Sequence, residues 1–203
     1  GQKTVGNNFI VTARGESDYA GFMNGEFLES NTLKANIKNA ITDAENKLGK
    51  RIKNLYVAVP SEFCYNTNLP SEMYFTAKTK ISKKHVNKLF SLIDVKKLSG
   101  THTIINKTPI YYLLDNTKNS FNPIGQTCTK IFSYIGLILA DNNFCNIVGG
   151  ALGELNINNY EFISQILAEG LYLIESHEKE TPIILIDCGY ITTGVSQIIN
   201  NAV

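Results

Sequence analysis

The stretch Ile183-Ile184-Leu185-Ile186-Asp187-Cys188-Gly189-Tyr190-Ile191-Thr192-Thr193-Gly194 governs how the rest of the chain is read. Four aliphatic residues in a row suit a strand covered on both faces, and that strand ends in a carboxylate. Gly189 lets the backbone approach a ligand closely. The hydroxyls of Thr192 and Thr193, with the turn N–H groups, can bond phosphate oxygens. Residues Val195 to Ile199 return as a second strand. In such a turn Asp187 would hold a divalent metal through water, because magnesium keeps much of its hydration shell. Any β-hairpin with Asp-Cys-Gly at its turn gives the same pattern, so on these residues alone a phosphate turn and a plain hairpin both stand.

Working outward, residues Glu161 to Ser176 read as a helix with Phe162, Ile166, Leu167, Leu171 and Ile174 on one stripe, followed by a polar exit over 177–180. Asn143 to Leu155 reads as a helix whose Gly149, Gly150 and Gly153 suggest close packing against a neighbour. At the other end a strand begins at Phe9, and Tyr19 to Phe27 folds as a hairpin on Asn24-Gly25. Thr32 is the expected cap of a helix carrying Leu33, Ile37, Ala40, Ile41, Ala44 and Leu48, stopped by Gly49. A strand over Ile52 to Val59 ends at Pro60. Residues 61–80 read as polar and irregular. A helix capped by Ser82 follows, with Val86, Leu89, Phe90 and Ile93 apolar. Three strands then come at Thr101–Asn106, Ile110–Leu114 and Lys130–Leu139, with a turn-rich loop over Asn116–Gly125. The expected class is α/β with a small α+β module inserted between α/β elements.

Composition narrows the function classes. Of 203 residues 43% are hydrophobic and 18% charged, and the net charge is +1, so no strong overall field steers nucleic acid or anionic lipid. Asn (23), Ile (24) and Lys (17, against 2 Arg) fill the charge deficit, which reads as a coding bias. The lysines between Lys78 and Lys97 read as a solvated helix face. Cys64, Cys128, Cys145 and Cys188 have neither CxxC nor zinc spacing, which favours free thiols. The longest apolar run, Ile131 to Ala140, is half the length a spanning helix needs. No nucleophile-and-base set is visible. His85, His102 and His177 lie far apart, and Ser176-His177-Glu178 are adjacent residues that a helix points in different directions. Glu161 suits the helix dipole, and Glu169, Glu175 and Glu178 fall towards a solvent face.

Five segments, in order from about Tyr19 to Ile199, resemble the FtsA/PilM branch of the actin-like proteins. Ile52 to Ser61 (IKNLYVAVPS) is similar to the strand before that family's inserted subdomain. Thr103 to Asp115 (TIINKTPIYYLLD) is similar to its strand-Pro-strand ribbon. Asn122-Pro123-x-Gly125 with the strand to Leu139 is similar to the motif that follows. Asn146-Ile147-Val148 with the glycine helix resembles the return to the parent fold, and Leu185 to Gly194 resembles the second phosphate hairpin.

The resemblance implies an actin-like, ribonuclease-H-like subdomain with an inserted strand–helix–strand–strand subdomain. Residues 1–60 and 146–182 would form the first actin-like subdomain, residues 61–145 the insertion, and residues 183–203 the hairpin opening the second half. It implies ATP and magnesium binding at Asp187, Gly189, Thr192 and Thr193, with Asp187 towards the metal, and assigns no catalytic residue. Its implied role is a division scaffold at midcell, on the cytoplasmic face of the membrane. That scaffold links the FtsZ ring to the membrane, recruits later division proteins and self-associates into filaments. Nucleic acid is not an implied partner. Two departures stand out. Tyr190 and Ile191 replace small residues after Gly189, and the family's first Asp-x-Gly phosphate strand is not in the sequence. The chain therefore reads as a fragment. It also lacks the adenosine segment and the membrane-binding C-terminal helix, so no tight cofactor binding and no ATPase activity are expected of it. The family's internal duplication suggests that the terminal hairpin fills the slot of the missing first hairpin, within the chain or by exchange with a neighbour. Competing readings are a PilM-like pilus-assembly platform whose partner is a short peptide, a small-molecule kinase of the actin superfamily, and a nucleotide-free adaptor.

Overall fold

A computed structural model describes residues 2–3, 9–23, 26–95, 98, 100–174, 180–189 and 193–203, with backbone only at residues 2, 3 and 9. In chain order the elements are β1 (Gln2–Lys3), β2 (Phe9–Ile10), β3 (Phe22–Met23), β4 (Glu26–Phe27), α1 (Ser30–Leu48), β5 (Asn54–Val59), a 3-10 turn (Ser61–Phe63) and β6 (Cys64–Lys80). There follow α2 (Lys83–Ser91), β7 (His102–Leu114), β8 (Lys118–Ser120), β9 (Thr127–Asp141), α3 (Asn142–Glu154), β10 (Asn159–Ser164), α4 (Gln165–Leu173), β11 (Ile183–Cys188) and β12 (Thr193–Ile198). The mixed α/β class is as expected. The chain divides into two compact units, Gly1–Val57 with Asn143–Phe162, and Ala58–Asn142 with Ile163–Val203.

In the first unit β3 and β4 form the expected hairpin, Phe22 opposite Phe27; its turn, Asn24-Gly25, lies outside the described residues. Helix α1 starts two residues before the expected cap. Glu29 is its N-cap residue, and Thr32 sits inside the first turn, donating its hydroxyl to the Glu29 carboxylate at 2.7 Å. Gly49 ends the helix in the left-handed conformation (φ 71°) and donates its N–H to the Glu45 carbonyl. The buried Glu45 carboxylate takes the Ile52 N–H and the Arg51 guanidinium, each at 2.7 Å. Aromatic rings form the packing of this unit: Phe144 lies 6.1 Å from Phe27 and 6.2 Å from Phe162, and Tyr160 lies 5.5 Å from Phe162. Close approach accounts for Gly149 among the three α3 glycines, while Gly150 faces only the mobile end of a lysine. A Cβ on Gly149 would meet the Tyr160 hydroxyl at 2.7 Å, and one on Gly150 the Lys34 side chain at 3.3 Å; Gly153 faces open space.

The second unit is built on an antiparallel sheet in the order β6-β9-β7-β8. One face packs on α2, where Leu89, Ile131, Ile135 and Leu137 are fully buried. Ser71 and Ser133, also buried, donate to the Leu89 and Tyr111 carbonyls at 2.6 and 2.7 Å, so neither hydroxyl is left unmade. Three expectations are corrected here. Residues 61–80 are not irregular: β6 is a seventeen-residue edge strand. Most of its polar residues are exposed, Ser71 being the buried exception, and an edge position tolerates Pro70 because no ladder there needs its N–H. The strands at 101–106 and 110–114 are one, β7, with register shifts at Ile105 and Ile110 on either side of Pro109. The helix at 161–176 is a strand and a shorter helix, β10 and α4. Tyr160, Phe162 and Ser164 alternate along the strand, and Ser164 then caps α4 by accepting the Leu167 N–H. The loop at 116–125 contains the short strand β8.

Candidate functional site

β11 and β12 pair antiparallel, with Asp187 opposite Gly194 and Cys188 opposite Thr193. The aliphatic run is followed by Asp187, but the strand continues one residue further to Cys188, with Gly189 just beyond it. Thr192, Tyr190 and Ile191 lie outside the described residues. Residues directly opposite share a face, so Asp187 lies on one face of the hairpin with Gly194, and Thr193 on the other with Cys188. Burial agrees: Ile183, Leu185 and Asp187 are half-buried, whereas Ile184, Ile186, Cys188 and Thr193 are exposed. The structure thus places Asp187, Gly189 and Thr193 at one end of a hairpin without bringing the Asp187 carboxylate and the Thr193 hydroxyl together.

What positions Asp187 is α4. A Cβ on Gly194 would lie 3.5 Å from Ile166 Cδ1 and 3.4 Å from Ser61 Oγ, so the hairpin's inner face rests on the helix start and on the 3-10 turn. A Cβ on Gly170 would fall 2.2 Å from Ile198 Cδ1, which makes that glycine the condition for close packing of α4 on β12. In consequence Gln165, the first residue of α4, reaches Asp187. Its Nε2 donates to Glu169 Oε1 at 2.9 Å and stands 3.5 Å from Asp187 Oδ2. Sequence reading missed Gln165, because the expected helix placed it in a second turn instead of at an N-terminus. The available signal was Ser164, a good N-cap residue immediately before it.

An amide flanked by Asp187 and Glu169 could orient water-bound magnesium, which needs only one or two carboxylates alongside phosphate oxygens. Among the described residues no group of three or more His, Cys, Asp or Glu could itself hold a metal ion. The hairpin's pairing also departs from one expectation. β11 and β12 form a two-stranded sheet of their own, so filling an empty slot within the chain is not how the hairpin is paired.

A cleft of about 510 Å³ lies elsewhere in the same unit, between Asn66, Thr67 and Asn68 of β6 and Val195, Ser196 and Gln197 of β12. None of its lining side chains is charged. One wall is the terminal turn Ile199–Ala202, in which Asn200 and Asn201 both take positive φ (49° and 62°). Asn200 Nδ2 fixes that turn on β7 by donating to the Pro109 carbonyl at 3.2 Å. Ala202 is buried, and a Cβ on Gly136 would meet its Cβ at 3.4 Å.

No family model matches the chain, and no curated protein matches it. Among solved structures it is similar to a chain of a "PilM-PilN type IV pilus biogenesis complex", at 14% identity and a TM-score of 0.54. The likeness covers 92% of this chain and 50% of that one, so the chain spans half the length of the protein it resembles. At that identity the comparison shows a likeness of fold alone.

Proposed function

We propose that this chain is part of an actin-like scaffold of the FtsA/PilM branch, whose work is to make protein contacts. The observation that carries the reading is the fold likeness over 92% of the chain. On this reading residues 61–145 are the inserted subdomain that recruits partners, and residues 183–203 open the second half of the nucleotide cleft. ATP with magnesium would be held in the longer protein, with Asp187 towards the metal, Gly189 and Thr193 towards phosphate, and Gln165 orienting water between Asp187 and Glu169. The division role follows from the sequence resemblance: linking the FtsZ ring to the membrane and recruiting later division proteins.

The uncharged cleft beside β6 favours a second reading, a PilM-like pilus platform. Its walls offer neutral amides and hydroxyls, Asn66, Thr67, Asn68, Ser196 and Gln197. These suit the backbone of an uncharged, extended segment and not a phosphate or a strongly charged peptide. The solved neighbour is itself described as a complex of two proteins. Imaging a fluorescent fusion of the longer protein in dividing cells separates the two readings. A midcell band that disappears with the FtsZ ring supports the division scaffold, and polar or pilus-associated foci support the platform. Uniform cytoplasmic signal would sink both and return attention to a small-molecule kinase.

A further inference from the structure

We infer that one tip of the second unit is a docking surface for an anionic lipid bilayer. The tip is formed by the Asn122–Gly125 turn and the start of α2. Two backbone hydrogen bonds join these segments: Ile81 N–H to the Gln126 carbonyl at 2.8 Å, and Gly125 N–H to the Ile81 carbonyl at 2.9 Å. They set Ile124 beside a stretch in which Lys80, Lys83, Lys84 and Lys88 are all exposed. None of the four forms an ion pair among the described residues. Carboxylates of the same sheet are already engaged, Glu72 by Lys130 and Asp115 by the Thr129 and Lys130 N–H groups.

The turn holds an aliphatic side chain out in water. Ile124 is 50% exposed, although Pro123 next to it is buried. Ile124 N–H is tied to Asn122 Oδ1 at 3.1 Å and Gln126 N–H to the Pro123 carbonyl at 3.0 Å. Gln126 Nε2 donates to the Asn122 carbonyl and to Ser120 Oγ. Gly125 supplies the positive φ (87°) that closes the turn. Helix stability does not account for the lysines either. Lys83 and Lys84 stand in the first turn of α2, where the dipole disfavours cations, and no acidic residue accompanies them there.

A fixed aliphatic tip on a turn bonded to a segment rich in exposed lysines fits hydrocarbon under anionic headgroups. Lysines without arginine forks, and without an aromatic residue in the turn, suit base stacking and phosphate clamping less well. With a net charge of +1 the attraction acts only at short range, so binding is expected to be lost as salt rises. This surface is distinct from both the hairpin and the cleft, and it would give the scaffold a membrane contact of its own.

The test is flotation of the full chain with vesicles of phosphatidylcholine alone or mixed with phosphatidylglycerol. Partition into the mixed vesicles only is expected, falling about thirtyfold in Lys83→Gln/Lys84→Gln, on the usual worth of a lysine at an anionic surface. Ile124→Ser is expected to lower partition about tenfold with the salt dependence unchanged. Lys50→Gln/Lys53→Gln, exposed lysines of the first unit, serves as the control for net charge, and circular dichroism checks folding throughout. No partition, an equal loss in the control, or preferential capture of a single-stranded oligonucleotide through the same lysines would overturn the inference.

Discussion

Asp115 shows how much one side chain can organise. It takes a left-handed backbone conformation (φ 49°) with Asn116 (φ 60°), closing a type I′ turn between β7 and β8. Its Oδ1 then accepts from Thr129 Oγ1, Thr129 N–H and Lys130 N–H, at 2.8, 2.8 and 2.9 Å, pinning the neighbouring strand β9. The Thr129 hydroxyl, then the two backbone N–H groups, hold this carboxyl below the usual 3.8. The Ile52 N–H, followed by Arg51, does the same to Glu45. A carboxyl whose pKa is lowered by folding contributes stability that is fully present above its unfolded pKa. That stability drains away as pH falls below about 4 through the lowered value. Asp115→Asn and Glu45→Gln are therefore expected to lower the urea midpoint at pH 7 and to approach the unsubstituted chain at pH 3. Parallel midpoint shifts at both pH values would show that the contribution is not ionic.

At the scale of elements, α2 is closed by a capping box in which His85 takes the place of the usual Glu or Gln. Ser82 caps the His85 N–H, and His85 Nδ1 accepts the Ser82 N–H at 3.2 Å. Replacing His85 by Leu is expected to cost about 1 kcal/mol and by Gln distinctly less, measured by urea unfolding. This helix was legible because its cap, its apolar positions and its length agree with one another. β6 was not, because its inward residues Leu69, Ser71, Met73 and Phe75 include a serine that is buried only through its bond to Leu89. α4 was hidden by Phe162, which falls on the stripe of a helix while standing on a strand. The Asp187 hairpin was read correctly in sequence, but its faces were not, because which face meets α4 depends on Gly170 and Gly194. The face turned away carries Ile184, Ile186 and Val195, all more than half exposed, and no charge. Ile186→Lys is expected to reduce aggregation of the isolated chain, seen by light scattering, with no loss of helix and sheet signal.

At the scale of the whole molecule the question is whether the proposed half of a nucleotide cleft can act alone. On the proposed reading phosphate would need donors converging from two loops, and the described residues offer one hairpin whose Asp187 and Thr193 lie on opposite faces. Gln165 and Glu169 extend the Asp187 side, yet no third metal-binding group joins them among the described residues. The chain by itself is therefore expected to give no saturable signal when titrated with a fluorescent ATP analogue and magnesium. The longer protein is expected to bind, with Asp187→Ala weakening it by at least about tenfold, the worth of one charge-assisted contact. Gln165→Ala should leave that affinity nearly unchanged while lowering any turnover, since orienting water adds little to ground-state binding. Tight binding by the chain alone, lost in Asp187→Ala, would mean that the hairpin is a complete site. Unaltered binding in the longer protein carrying Asp187→Ala would instead remove Asp187 from the nucleotide cleft and leave the contact-making surfaces as the function of this half.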